Sequence, residues 1–267
     1  MKLKLNDVLG KAYEDKQVLK TIIGIDNFNI LNSLQKIRAA EVGGSTYIDL
    51  AANVDLLLAV RSLVSLPLCV SSICIQELHD CYDAGANILE IGNFDVFYRK
   101  NIYLTGQQIF NTSKELRLRC PNALVSVTIP HTLTFSNQLS LAKSLQDLGV
   151  DMIQTEGFSS KLINTSNMAN ALKYASAALC STLTFADALS IPVISSSGIT
   201  PLTAPMAISF GACGVGIGSF FNTCQSSLDL SKQISEIIYS LKTESGTSKC
   251  MYNASIKKDY INILSKV

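Results

Sequence analysis

Strand and helix signals alternate eight times along this chain, and that repetition restricts its fold more than any other feature. Short β-branched runs bounded by Gly, Pro, Asn or Asp read as buried strands, while the segments between them carry apolar residues at helical spacing. The runs are TIIGID (Thr21 to Asp26), STYIDLA (Ser45 to Ala51), PLCVSS (Pro67 to Ser72), NILEIGN (Asn87 to Asn93), ALVSVTIP (Ala123 to Pro130), DMIQTEG (Asp151 to Gly157), PVISSSG (Pro192 to Gly198) and CGVGIGS (Cys213 to Ser219). Helices are expected from about Asn29 to Val42, Asn53 to Val64, Glu77 to Ala84, Thr105 to Arg119, Asn137 to Leu148, Asn167 to Leu189, Pro201 to Phe210 and Leu228 to Leu241, with one more ahead of the first strand. Eight βα units in one register are the count of a single (β/α)8 TIM barrel. A doubly wound sheet is the alternative, but nothing like G-x-G-x-x-G follows the first strand. We therefore expect one α/β domain over residues 1–245, N-terminal helix included. A short C-terminal extension over 246–267 would pack on the barrel or stay mobile.

Composition narrows the function classes. The 267 residues are 48% hydrophobic and 16% charged, with a net charge of +1, which provides for a large core and argues against a basic nucleic-acid surface. No run approaches the length of a membrane span. The 8 cysteines include no C-x-x-C pair and no compact zinc spacing, so most should be reduced thiols in the core. The opening MKLKLNDVLGKAYEDK lacks the continuous apolar core of a secretory signal, and its Asp and Glu are unlike a transit peptide.

Two glycine turns carry the clearest chemistry: SSSGIT at Ser195 to Thr200, and GACGVGIGS at Gly211 to Ser219. Glycine lets backbone amides approach an anion, and a helix start behind the turn adds the positive end of its dipole. In barrels of this kind the loops after strands seven and eight commonly form the phosphate site. Ser197, Gly198, Gly216, Gly218 and Ser219 are the expected phosphate-binding residues. The plainer reading is that these glycines only permit tight turns.

Four carboxylates, Asp26, Asp49, Glu90 and Glu156, fall at or just past the ends of strands one, two, four and six, where acid–base groups of a barrel enzyme reside. Asp49 and Glu90 lead, since each alternates with apolar neighbours inside a strand and should project inward. Any one of the four also serves as a turn cap or as a partner for Arg and Lys. Of two histidines, His79 sits in a helix, whereas His131 follows strand five at the catalytic rim, as an acid–base group, a phosphate contact or a loop residue. The absence of a histidine cluster argues against a zinc hydrolase, and no metal is expected. Schiff-base chemistry is disfavoured, because Lys20 is expected at the wrong end of strand one, with Lys100 and Lys161 in connections beyond strands four and six.

Taken together, GIDNFN (Gly24 to Asn29), YIDLAAN (Tyr47 to Asn53), LEIGNFD (Leu89 to Asp95), TEG (Thr155 to Gly157), SSSGIT and GVGIGS resemble the hypothetical chloroplast reading frame 23 family, barrel proteins of plastid and cyanobacterial genomes. The resemblance covers nearly the full chain and implies the barrel fold and a place in the plastid stroma, with no established reaction. Richness in Asn, Ile, Lys and Ser fits an AT-rich organelle genome. More distantly, the two glycine turns are similar to those of ribulose-phosphate-binding barrels, which places Ser197, Gly198, Gly218 and Ser219 on phosphate-contacting turns. The thiazole synthase lysine of that group has no clear match, and a strand-five aspartate used by some of its isomerases is replaced by Thr128 or Ile129. Three functions follow from these residues: an isomerase or lyase acting on a small phosphorylated metabolite, an oxidoreductase holding FMN by its phosphate, or a non-catalytic barrel that senses a phosphometabolite and touches a regulatory partner.

Overall fold

The structure is a computed structural model and describes residues 5–92, 94–157 and 168–242. Eight parallel strands close in chain order: β1 Val18–Gly24, β2 Tyr47–Ala51, β3 Leu68–Ser72, β4 Ile88–Ile91, β5 Leu124–Ile129, β6 Met152–Thr155, β7 Val193–Ser196 and β8 Gly214–Ile217, with β8 pairing back onto β1. Closure buries both faces of every strand, which is why the strands read as apolar runs and not as strict alternation. Outward side chains such as Leu19, Ile48, Val70, Leu89, Val125, Ile153 and Val215 form the main core beneath the helices.

The helices are α1 Leu5–Glu14, α2 Ile30–Gly43, α3 Val54–Arg61, α4 Ile75–Asp83, α5 Asp95–Tyr98, α6 Gly106–Arg119, α7 Phe135–Asp147, α8 Met168–Ala188 and α9 Ala204–Ser209, followed by α10 over residues 227–242. Their limits follow from local chemistry. Asn29 and Asn53 accept amide hydrogens at the starts of α2 and α3, Thr105 and Gln108 form a reciprocal capping box on α6, and Gly44, at φ 91°, ends α2 in the left-handed region.

Inside the barrel, side chains stack in two unlike layers. Val18, Tyr47, Cys69, Ile88, Leu124, Met152 and Ile194 make an apolar plug, and Leu5 and Leu9 of α1 close it. Above it, two residues further along each strand, lie Lys20, Asp49, Ser71, Glu90, Ser126, Gln154 and Ser196, all buried. Barrel interiors are usually filled by branched apolar residues. Here the middle layer is polar.

Three boundaries differ from expectation. β1 starts at Val18, ahead of the TIIGID run, because Lys20 interrupts the apolar pattern yet is satisfied inside the barrel. The expected helix from Pro201 is a turn over 201–203 followed by the short α9. The connection after β4, which has no clear sequence signal, holds the single turn α5. The proposed C-terminal extension, 246–267, lies outside the described residues.

Candidate active site

Lys20 organises the middle layer. Its Nζ lies 2.7 Å from Glu90 Oε1, 3.0 Å from Asp49 Oδ2 and 2.9 Å from Gln154 Oε1, with all four side chains buried. Burial alone lowers an ammonium pKa, but the charges of Asp49 and Glu90 overcome it and hold Lys20 protonated. Burial acts in the opposite sense on Glu90, raising its pKa despite Lys20, and the neighbouring Asp49 charge adds to the rise. Lys20 is therefore not at the wrong end of a strand: it stands at the centre of the barrel. The misplacement came from starting β1 at Thr21.

Above this layer, at the C-terminal ends of the strands, lies a cleft of about 140 Å³. Its walls include Asp26, Asp95, Glu156, Ser197, Gly198, Gly218 and Ser219, and Thr128, Gln154, Ser196 and Gly216 line its lower part. All five expected phosphate-binding residues thus border one cleft. The turn after β7 is left-handed at both Ser197 (φ 79°) and Gly198 (φ 71°). A Cβ at residue 198 would come within 2.5 Å of the Tyr174 carbonyl oxygen on α8, so both dihedral and space demand glycine there. After β8, a 3₁₀ turn, Ser219–Thr223, begins directly behind Gly218.

Of the four expected carboxylates, Asp26 and Glu156 line the cleft, whereas Asp49 and Glu90 project inward as expected but lie beneath it, engaged by Lys20. Glu156 is tied into the rim by three contacts. Its Oε2 accepts from the Tyr98 hydroxyl at 2.6 Å, from the His131 amide at 3.1 Å and lies 2.9 Å from His131 Nδ1. A carboxylate only accepts, so Nδ1 carries the proton. The hydrogen bond to Glu156 raises the His131 pKa above its ordinary value against partial burial, and the charges of Glu156 and Asp95 add to the rise. Burial, then the Glu156 charge, pushes the Tyr98 phenol up, so it stays a donor. The edge of one ring meets the face of the other between Tyr98 and His131, 5.2 Å apart, which ties α5 to the end of β5.

Sequence reasoning missed Tyr98, Asp95 and Gln154, and took Ser196 only as a candidate at the end of strand seven. Gln154 and Ser196 were visible in principle, since Gln154 alternates with Met152 and Glu156 along β6, and Ser196 with Ile194 along β7. Tyr98 and Asp95 were not, because Asp95 reaches the cleft, and Tyr98 reaches Glu156, from the short helix α5. Lys100 is exposed beyond α5 and Lys161 lies outside the described residues. His79 is half-buried on α4 beside Asp83. Among the described residues no group of His, Cys, Asp and Glu could hold a metal ion, and no helix is long and apolar enough to cross a membrane.

Solved structures with this fold include thiamine phosphate pyrophosphorylase from Pyrococcus furiosus (TM-score 0.58, 13% identity, covering 85% of this chain and 98% of that one). Another is (S)-3-O-geranylgeranylglyceryl phosphate synthase from Thermoplasma acidophilum in complex with its substrate sn-glycerol-1-phosphate (TM-score 0.58, 13% identity, 90% and 99%). At such identity the likeness establishes the barrel alone. Sequence relationships reach further. The chain is 36% identical over 260 residues to the uncharacterized protein ycf23 of Pyropia yezoensis, spanning 97% of this chain and 95% of that protein. It is 38% identical over 217 residues to ycf23 of Porphyra purpurea, spanning 81% and 82%. Residues 4–247 match the family described as protein of unknown function (DUF561), and with relatives this similar over this length the chain belongs to that family, alongside the ycf23 proteins.

Proposed function

We propose that the protein binds a small phosphorylated metabolite in the cleft above β7 and β8 and acts on it as an isomerase or lyase. One observation carries this reading: the two glycine turns and Glu156 border the same small cleft, and His131 holds Glu156 from outside its lining. Amides of Ser197, Gly198, Gly218 and Ser219 hold the phosphate. Glu156 lines the cleft and is the group that exchanges a proton with the ligand, held in place by His131 Nδ1 and the Tyr98 hydroxyl. Asp26 and Asp95 are the other carboxylates at hand, while Asp49 and Glu90 support the floor from below.

The cleft volume favours this reading over FMN. Pockets for drug-sized ligands hold roughly 300–1,000 Å³, whereas the described residues enclose about 140 Å³. A purified protein that is yellow and releases FMN on denaturation would reverse that preference. Kinship with the ycf23 proteins supports a location in the plastid stroma, which subcellular fractionation reads directly. Thermal shift and calorimetry with inorganic phosphate and a panel of phosphate monoesters test the binding step. Once a substrate is in hand, Glu156→Gln is expected to abolish turnover while leaving ester affinity within a few-fold. Undiminished turnover would remove Glu156 from the chemistry, and ligand-dependent partner binding without turnover would instead support a sensor.

A further inference from the structure

The floor of the cleft has used up its hydrogen-bond donors. Lys20 donates to Glu90 Oε1 and Gln154 Oε1 and is paired with Asp49 Oδ2 at 3.0 Å. Because an ammonium can only donate, it dictates which end of the Gln154 carboxamide is oxygen. The amide cannot flip without setting N–H against N–H. Both Nε2 hydrogens of Gln154 are then committed, one to Glu90 Oε1 at 2.9 Å and one to Thr128 Oγ1 at 3.0 Å. The Thr128 hydroxyl proton goes to Glu90 Oε1 at 3.3 Å, and that of Ser196 to the Gly216 carbonyl at 3.1 Å. Gln154, Thr128 and Ser196 all line the cleft. What they can still offer a ligand is lone pairs: one on Gln154 Oε1, one on Thr128 Oγ1 and those of Ser196 Oγ.

We infer that Gln154, Thr128 and Ser196 are specificity-determining residues that form an acceptor-only floor, with Lys20 as the positioning residue that sets its polarity, so the ligand carries hydroxyl groups at the end away from its phosphate. This rests on the phosphate reading above, since the donor-rich turns of β7 and β8 orient the ligand with its anionic end at the rim. A bare alkyl chain would leave the floor oxygens without partners, and a carboxylate or carbonyl at that end would set acceptor against acceptor.

A matched pair of three-carbon probes tests the inference. Glycerol 3-phosphate and n-propyl phosphate share the phosphate and the carbon count and differ in two hydroxyls. Calorimetry on the full chain should find the glycerol ester bound at least about tenfold more tightly, the scale of one or two well-made hydrogen bonds. In Ser196→Ala and Thr128→Val that preference should shrink several-fold, with the affinity for inorganic phosphate unchanged. Ser196→Ala removes a single oxygen and keeps the test readable if Thr128→Val fails to fold. Equal binding of the two esters, or a preference that survives both substitutions, overturns the acceptor floor while leaving the phosphate site standing. Binding of neither ester nor of inorganic phosphate overturns both.

Discussion

At the scale of single residues, the rim and the floor obey different electrostatics. His131 has a pKa raised in the folded state, so folding binds its proton more tightly than the unfolded chain does. The resulting stabilisation is fully present below the unfolded value near 6.5 and is lost as pH rises through the higher folded value. Wild-type protein should therefore exceed His131→Gln in stability by the widest margin below about pH 6.5, with the gap narrowing as the solution becomes basic. Urea denaturation across pH reads this, and a gap that widens toward high pH would refute it. Lys20 is fully buried between two carboxylates. Lys20→Met should cost about 3–5 kcal/mol, as expected when one partner of a buried charge group is removed and the others remain. Chemical denaturation at neutral pH measures it.

Individual elements show why the barrel closes and what it closes over. β8 is the one strand with glycine at each inward position, Gly214 and Gly216, and Gly218 follows directly behind it; the reason is local crowding. A Cβ at 214 would collide with the Val18 carbonyl of β1, and one at 216 would come within 2.9 Å of Ser196 Oγ. Gly214→Ala should accordingly cost more than about 2 kcal/mol by forcing the β8–β1 seam apart, an overpacking effect that thermal denaturation detects. Gly216→Ala strikes the floor and not the seam, so its first casualty should be ligand binding. At the opposite end, α1 closes the barrel with Leu5 and Leu9 over the apolar plug. Leu9→Ala should cost about 2–5 kcal/mol, the range for a buried leucine truncated to alanine, without altering affinity for phosphate esters. Loss of binding in that variant would mean that the bottom of the barrel is coupled to its rim.

For the molecule as a whole, a ligand that binds only the folded state stabilises it by about 2.7 kcal/mol at one hundred times its Kd, so a phosphate monoester at saturating concentration should raise Tm by several degrees. The eightfold βα rhythm was legible in the sequence, as were the strand cores, the placing of both glycine turns at the ends of β7 and β8, and the inward direction of Asp49 and Glu90. Each rests on near-neighbour chemistry: period, turn residues and the alternation of side chains along a strand. Glu156 and Asp26 were legible as rim carboxylates for the same reason. What could not be read was which inward groups meet. Lys20 and Glu90 are 70 residues apart and Lys20 and Gln154 are 134 apart, and only barrel closure brings β1, β4 and β6 round to a common axis. A lysine in an apolar run then ceases to be a strand boundary and becomes the hub of a buried layer. Likewise Tyr98 reaches Glu156 from a four-residue helix without a periodic signature. Sequence alone determined the fold and the position of the two glycine turns, because local patterning encodes them. Tertiary structure alone decided which carboxylates face the cleft and which serve Lys20, because that depends on distances set by closing the sheet.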